Sequence, residues 1–161
     1  MGDRMTPQEM DEVLDRHFAG EAAHDLDAVL ATLHEDCEHD VVGLGVIRGR
    51  ANVAPLYQGM FDETSDESFT PIRRQYGDDF LVDEVMMTQR MNGDMFGIPG
   101  NGTVVTWRLL HICEFRDGLM SRENVWMDTG AIIAQLTAAQ NSTSTDNNQT
   151  VAAAQGHGSQ G

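Results

Sequence analysis

The stretch Thr103–Asp128, TVVTWRLLHICEFRDGLMSRENVWMD, contains two hydrophobic runs that meet at Phe115-Arg116-Asp117-Gly118-Leu119. Asp-Gly between such runs is the strongest short-range signal for a β-hairpin, and a three-residue loop ending in a left-handed glycine is a common form. That loop pairs Phe115 with Leu119. Cross-strand partners recur every two residues, so it also pairs Cys113 with Ser121, His111 with Glu123, Leu109 with Val125 and Trp107 with Met127. One face is then mostly apolar and sets a histidine directly opposite a glutamate. The other face mixes Arg108, Ile112, Glu114, Arg122, Asn124 and Trp126, as a solvent-facing or subunit-facing side would. A different turn slips this register.

The 161 residues suit one domain with one core. The chain carries 26 acidic against 10 basic residues, a net charge of −16, and every basic residue is Arg. Without lysine there is neither Schiff-base catalysis nor a P-loop. The acidity opposes nucleic acid and anionic membrane surfaces as partners. No apolar stretch follows a basic N-terminal region and no run approaches a membrane span, so a cytoplasmic location is expected. Two cysteines, Cys37 and Cys113, are too few for a disulfide framework and read as core filler.

Thr6-Pro7-Gln8-Glu9 opens a helix with an N-cap, a proline at the first helical position and a glutamate three residues after the cap. Met10, Val13, Leu14, His17 and Phe18 follow at helical spacing. His24-Asp25-Leu26-Asp27 starts a second helix expected to reach Leu33 and close at Glu35-Asp36, with a short strand over Cys37–Val42. Asn52–Phe61 reads as a third helix, with Pro55 tolerable only in its first turn. Asp62–Glu67 reads as a polar linker, Phe69–Tyr76 and Phe80–Met91 as strands, and Asn92–Gly102 as a loop. Ala131–Leu136 reads as a short last helix. Beyond Thr137 the composition offers almost nothing to bury, so 1–136 is expected to be the folded domain and 137–161 a disordered tail. Helices followed by a curved antiparallel sheet make an α+β unit with a conical pocket between them.

Several short motifs stand in a telling order: His24-Asp25-Leu26-Asp27, Arg48-Gly49-Arg50-Ala51, Phe96-Gly97-Ile98-Pro99, Phe115-Arg116-Asp117-Gly118 and Gln135-Leu136. Over about Thr6 to Leu136 the chain resembles the nuclear transport factor 2-like superfamily. That group includes SnoaL-like polyketide cyclases, ketosteroid isomerases, limonene epoxide hydrolases and scytalone dehydratases. The resemblance implies the cystatin-like fold, with a sheet wrapped around N-terminal helices. Compared with the isomerases, Asp40 stands where the general base lies, and His17 and His111 stand where the two oxyanion donors lie. Compared with the cyclases, Val125 takes the place of an acid/base Asp. The epoxide hydrolases carry an Arg-x-Asp element, matched here by Arg90-Met91-Asn92, with Val125 again in place of their water-activating Asp.

The residues suggest a cavity holding one carboxylate base, Asp40, with His111, Glu123 and His17 as the other candidate catalytic groups. Trp107, Leu109, Val125, Met87, Phe61 and Tyr57 are expected to line it. Burial raises a carboxyl pKa toward neutrality, and a glutamate fixing one imidazole nitrogen aims the other at substrate. The chemistry would be proton removal beside a carbonyl in a small apolar metabolite: isomerisation, cyclisation or dehydration, with no cofactor. Strict alternation groups Asp40 with Glu38, opposite Cys37 and Val41, so an inward Asp40 requires a bulge. His34-x-x-Cys37-x-His39 has metal-ligand types but straddles a helix end, where side chains diverge; no metal is expected. The alternatives are a non-catalytic binding or dimerisation domain and an epoxide hydrolase holding a water near Arg90 and Asn92. The mixed outer face suggests a homodimer.

Overall fold

The computed structural model describes residues 4–155, with side chains to residue 142. The elements run α1 (Pro7–Ala22), α2 (Leu26–Leu30), β1 (Leu33–Val41), β2 (Gly45–Arg48), α3 (Arg50–Glu63), β3 (Thr64–Tyr76) and β4 (Phe80–Met91). A small hairpin, β5 (Asp94–Met95) and β6 (Ile98–Pro99), leads to β7 (Thr103–Arg116), β8 (Leu119–Met127) and α4 (Thr129–Gln155). The six-stranded sheet has the order β2-β1-β8-β7-β4-β3. It is mixed rather than wholly antiparallel, because β1 runs parallel to β8. Helices lie over one face, giving the α+β architecture expected.

The capping box of α1 forms as its sequence dictates: Glu9 N–H donates to Thr6 Oγ1 at 3.3 Å, and Thr6 N–H to Glu9 Oε2 at 2.7 Å. Met10, Leu14, His17 and Phe18 then form its buried face. The second helix is shorter than its sequence suggested. It stops at Leu30, and Leu33–Asp36 already belong to β1, where hydrogen bonding to β8 outweighs helix propensity. Helix α3 starts at Arg50 rather than Asn52, which carries Pro55 past the first turn. The expected linker at Asp62–Glu67 is the end of α3 and an irregular start to β3, whose register shifts between Ser65 and Ser68. Helix α4 runs well past Thr137, where an unstructured tail was expected. After Gly130 no glycine or proline occurs through Gln155, and a nucleated helix propagates at little cost per residue. Residues 156–161 of that expected tail lie outside the described residues.

The β7–β8 turn is tighter than anticipated. Asp117 and Gly118 both have positive φ, 53° and 78°, as a two-residue type I′ turn requires, and Arg116 pairs with Leu119. A bulge between Glu114 and Phe115 then leaves Ser121 unpaired. Beyond it, Leu109 pairs with Met127, His111 with Val125 and Cys113 with Glu123. The offset from the expected register is two residues, so the inward set is preserved while each partner changes. His111 is therefore diagonal to Glu123, not opposite it.

Two apolar clusters bracket the molecule. One joins α1, α2 and α3 to the sheet through Met10, Leu14, Val53 and Met120; the other seats Ile132 and Leu136 of α4 against Val105 and Leu109. Gln135 fixes α4 by satisfying both backbone groups of Thr106 on β7, at 2.7 and 3.0 Å. A cavity remains between α3 and the sheet. No helix among the described residues is long and apolar enough to cross a membrane.

Candidate active site

The cavity has a volume of about 460 Å³ and walls that are largely apolar, with Met87, Met91, Trp107, Leu109 and Val125 on the sheet side. Helix α3 supplies Leu56, Tyr57 and Met60. The polar end is built on β1 and β8. His39 and Glu123 are register partners across that parallel pair, and both side chains face inward. His39 Nδ1 and Glu123 Oε2 are 3.0 Å apart. Tyr57 Oη donates to the same oxygen at 2.8 Å. His111 approaches the other oxygen, with Nε2 to Oε1 at 3.8 Å. Glu123 is 2% exposed, so its charge is answered almost wholly by these side chains.

Burial alone would raise the Glu123 pKa, but the rings of His17, His39 and His111 outweigh it and hold the carboxyl well below its usual range. His39 shows the converse. Burial pushes its pKa down, yet the charge and hydrogen bond of Glu123 prevail and raise it. Such mutual shifts, inside a cavity, are what an acid–base site requires. Glu123 fixes Nδ1 of His39 as the protonated nitrogen and leaves Nε2 as the atom free to exchange a proton.

Behind this pair, His17 is completely buried between α1, α3 and β8. Its Nδ1 lies 2.7 Å from Thr32 Oγ1, and its Nε2 lies 3.0 Å from Tyr57 Oη and 3.3 Å from Glu21 Oε1. His17, Glu21 and Glu123 offer metal-type donor atoms within 4.8 Å of one another. The Tyr57 hydroxyl sits among them, bonded to Glu123 and 3.0 Å from His17, so the group is a closed hydrogen-bonded cluster.

The expected site residues divide. His111, Glu123, Trp107, Leu109, Val125, Met87 and Tyr57 line the cavity, while His17 lies one layer behind it. Phe61 does not line it: the ring stacks on His24 at 4.6 Å within the helical core. Asp40, the expected base, is on the opposite face of β1. Its Oδ2 accepts from Arg122 at 3.1 Å and from Asn124 at 2.9 Å. The bulge an inward Asp40 would need is present only upstream, between Leu33 and Glu38, and alternation then puts Cys37, His39 and Val41 inside. His39 is thus the residue that sequence reasoning passed over, although the alternation around Cys37 and Val41 already indicated it. The epoxide hydrolase element is also elsewhere: Arg90 bonds Asp66 and the Gly102 carbonyl, and Asn92 bonds Ser65. His34 and His39 point to different faces, the former toward Arg116 at 3.0 Å, so the His34–Cys37–His39 set does not converge.

Comparison with known proteins fits this geometry. No curated protein matches the chain by sequence. Among solved structures, a candidate polyketide cyclase from Xanthomonas campestris pv. campestris is 25% identical over 80% of this chain and 97% of its own, with a TM-score of 0.73. TsrD from Streptomyces laurentii is 21% identical over 82% and 97%, with a TM-score of 0.73. TerC, co-crystallised with polyporic acid, is 20% identical over 80% and 98%, with a TM-score of 0.65. The SnoaL-like domain matches residues 14–123, from the buried face of α1 to the shared carboxylate, and the chain belongs to that family.

Proposed function

We propose that this protein is a cofactor-independent acid–base enzyme acting on a small, uncharged, apolar carbonyl compound, with His39 as its base. The observation that carries this reading is the 3.0 Å contact between His39 Nδ1 and Glu123 Oε2 at the polar end of an apolar cavity. Neutral His39 would take a proton from the carbon beside the carbonyl through Nε2. Glu123 would stabilise the imidazolium so formed, and Tyr57 would hold Glu123 in place. His111, on the same inward face, supplies a second imidazole that can donate to the enolate oxygen as its charge develops. Returning the proton elsewhere gives isomerisation; attack of the enolate on a second carbonyl gives cyclisation; loss of a β-hydroxyl gives dehydration.

The walls narrow the substrate. Glu21, Glu63, Asp94 and Glu123 border the cavity and no arginine does, which disfavours carboxylates, phosphates and coenzyme A esters. An oxygenated aromatic or polyketide-type ketone or ester meets both conditions. The test is solvent deuterium exchange into a panel of β,γ-unsaturated ketones and neutral polyketide esters. Label entering the carbon beside the carbonyl with wild type, and not with His39→Gln, supports the reading. Tight binding without exchange by either protein would make the cavity a carrier site instead. On the far side of the sheet, half-exposed Trp126 and Val104 support a homodimer, which light scattering would detect.

A further inference from the structure

We infer that His17 is an imidazolium across the neutral pH range, a positioning residue that sets the proton affinity of His39 without touching the ligand. The positioning role rests on the reading of His39 as base; the charge state follows from counting hydrogens. The single hydroxyl hydrogen of Thr32 is spent on the Val29 carbonyl at 2.6 Å. Thr32 Oγ1 can therefore only accept from His17 Nδ1 at 2.7 Å, so that nitrogen carries a hydrogen. The single hydroxyl hydrogen of Tyr57 is spent on Glu123 Oε2 at 2.8 Å. Tyr57 Oη can then only accept from His17 Nε2 at 3.0 Å, so the second nitrogen carries a hydrogen as well. The other allocation turns the Tyr57 hydrogen toward His17. It sets two oxygen lone pairs against each other at 2.8 Å and points a bare ring nitrogen at Glu21, 3.3 Å away.

The carboxylates packed around the ring favour a positive charge. Glu21 faces it from α1 and Glu123 from β8, the latter at 3.6 Å, while α3 contributes the neutral Tyr57 and the segment after α2 contributes Thr32. His39 on β1 and His111 on β7 share Glu123 with it and oppose the charge. The carboxylates prevail over burial and raise the His17 pKa. A fixed cation here divides the field of Glu123. Without it, His39 would answer a larger share of the carboxylate and hold its proton more tightly, making a poorer base near neutrality.

The test is ¹⁵N NMR of the imidazole rings in the full-length protein, with elemental analysis for bound metal. Both nitrogens of His17 showing imidazolium-type shifts at pH 8, in metal-free protein, support the inference. A neutral ring protonated at Nδ1 alone, or a divalent ion in place of the second hydrogen, overturns it. For the positioning role, His17→Gln should move the His39 titration upward by about one unit. An unmoved His39 overturns that role even if the imidazolium is seen. Should His17→Gln not fold, Glu21→Gln keeps the question open to a result: the His17 titration should fall, and an unchanged one overturns the assignment. None of these readouts needs turnover, so failure of the enzymatic reading and failure of this one are separable.

Discussion

Strands β1 and β8 present two polar clusters, one on each face, from residues adjacent in sequence. Outside, Arg122 reaches Glu38 and Asp40, both at 3.1 Å, and Glu114 at 3.4 Å. Inside, Glu123 is shared by His39, Tyr57, His17 and His111. The outer group is a cation among carboxylates with water to screen it; the inner is a carboxylate among rings with almost none. Exposed pairs are worth about 0–1 kcal/mol because solvent does the same work. A buried ion must be answered by protein dipoles and charges, and its partners' pKa values move instead. The proposed chemistry is therefore assigned to the inner cluster, although the two use similar residue types.

The largest expected effect is Glu123→Gln. It leaves the buried rings without their counter-charge and should cost about 3–5 kcal/mol in urea unfolding. Asp40→Asn on the outer face should cost about 1 kcal/mol or less. Equal losses would erase the contrast between the faces. Next in size, His39→Gln should lower deuterium exchange into an accepted ketone by about 10²–10⁴-fold, the usual worth of a positioned general base.

Stability should respond to pH from the inner cluster in both directions. The depressed pKa of Glu123 contributes stability that is present above the ordinary carboxylate range and lost as pH falls below it. The raised pKa values of His17 and His39 contribute stability that is full below about 6.5 and declines as pH rises through their folded values. Thermal unfolding should thus show a maximum between about pH 5 and 6. Glu123→Gln should flatten that maximum, whereas Asp40→Asn should leave its shape alone. The effect expected to leave the site untouched is in the turn. Gly118→Ala places a Cβ at a φ of 78° and should cost about 1–2 kcal/mol, with the His39 titration unmoved.

Much of this was legible locally. The capping box of α1, the Asp-Gly turn and the inward set Trp107, Leu109 and His111 follow from composition and period. The register did not, because a two-residue turn plus a bulge at Ser121 and a three-residue loop read alike in sequence. The outward facing of Asp40 escaped the sequence for a different reason. Asp40 rested on a family position, while the alternation of Cys37, His39 and Val41 favoured its neighbour. What joins His39 to Glu123 is a parallel pairing between residues 84 apart, and no local pattern announces such a contact. The length of α4 is not legible from a composition with almost nothing to bury; the run 131–155, without glycine or proline, is what allows it.

The most direct test compares neighbours in the chain that lie on opposite faces of one strand. His39→Gln and Asp40→Asn should be assayed side by side for exchange of solvent deuterium into the same neutral ketone. The account predicts that the first loses exchange and the second keeps it within a few-fold of wild type. Exchange surviving in His39→Gln but lost in Asp40→Asn would contradict it.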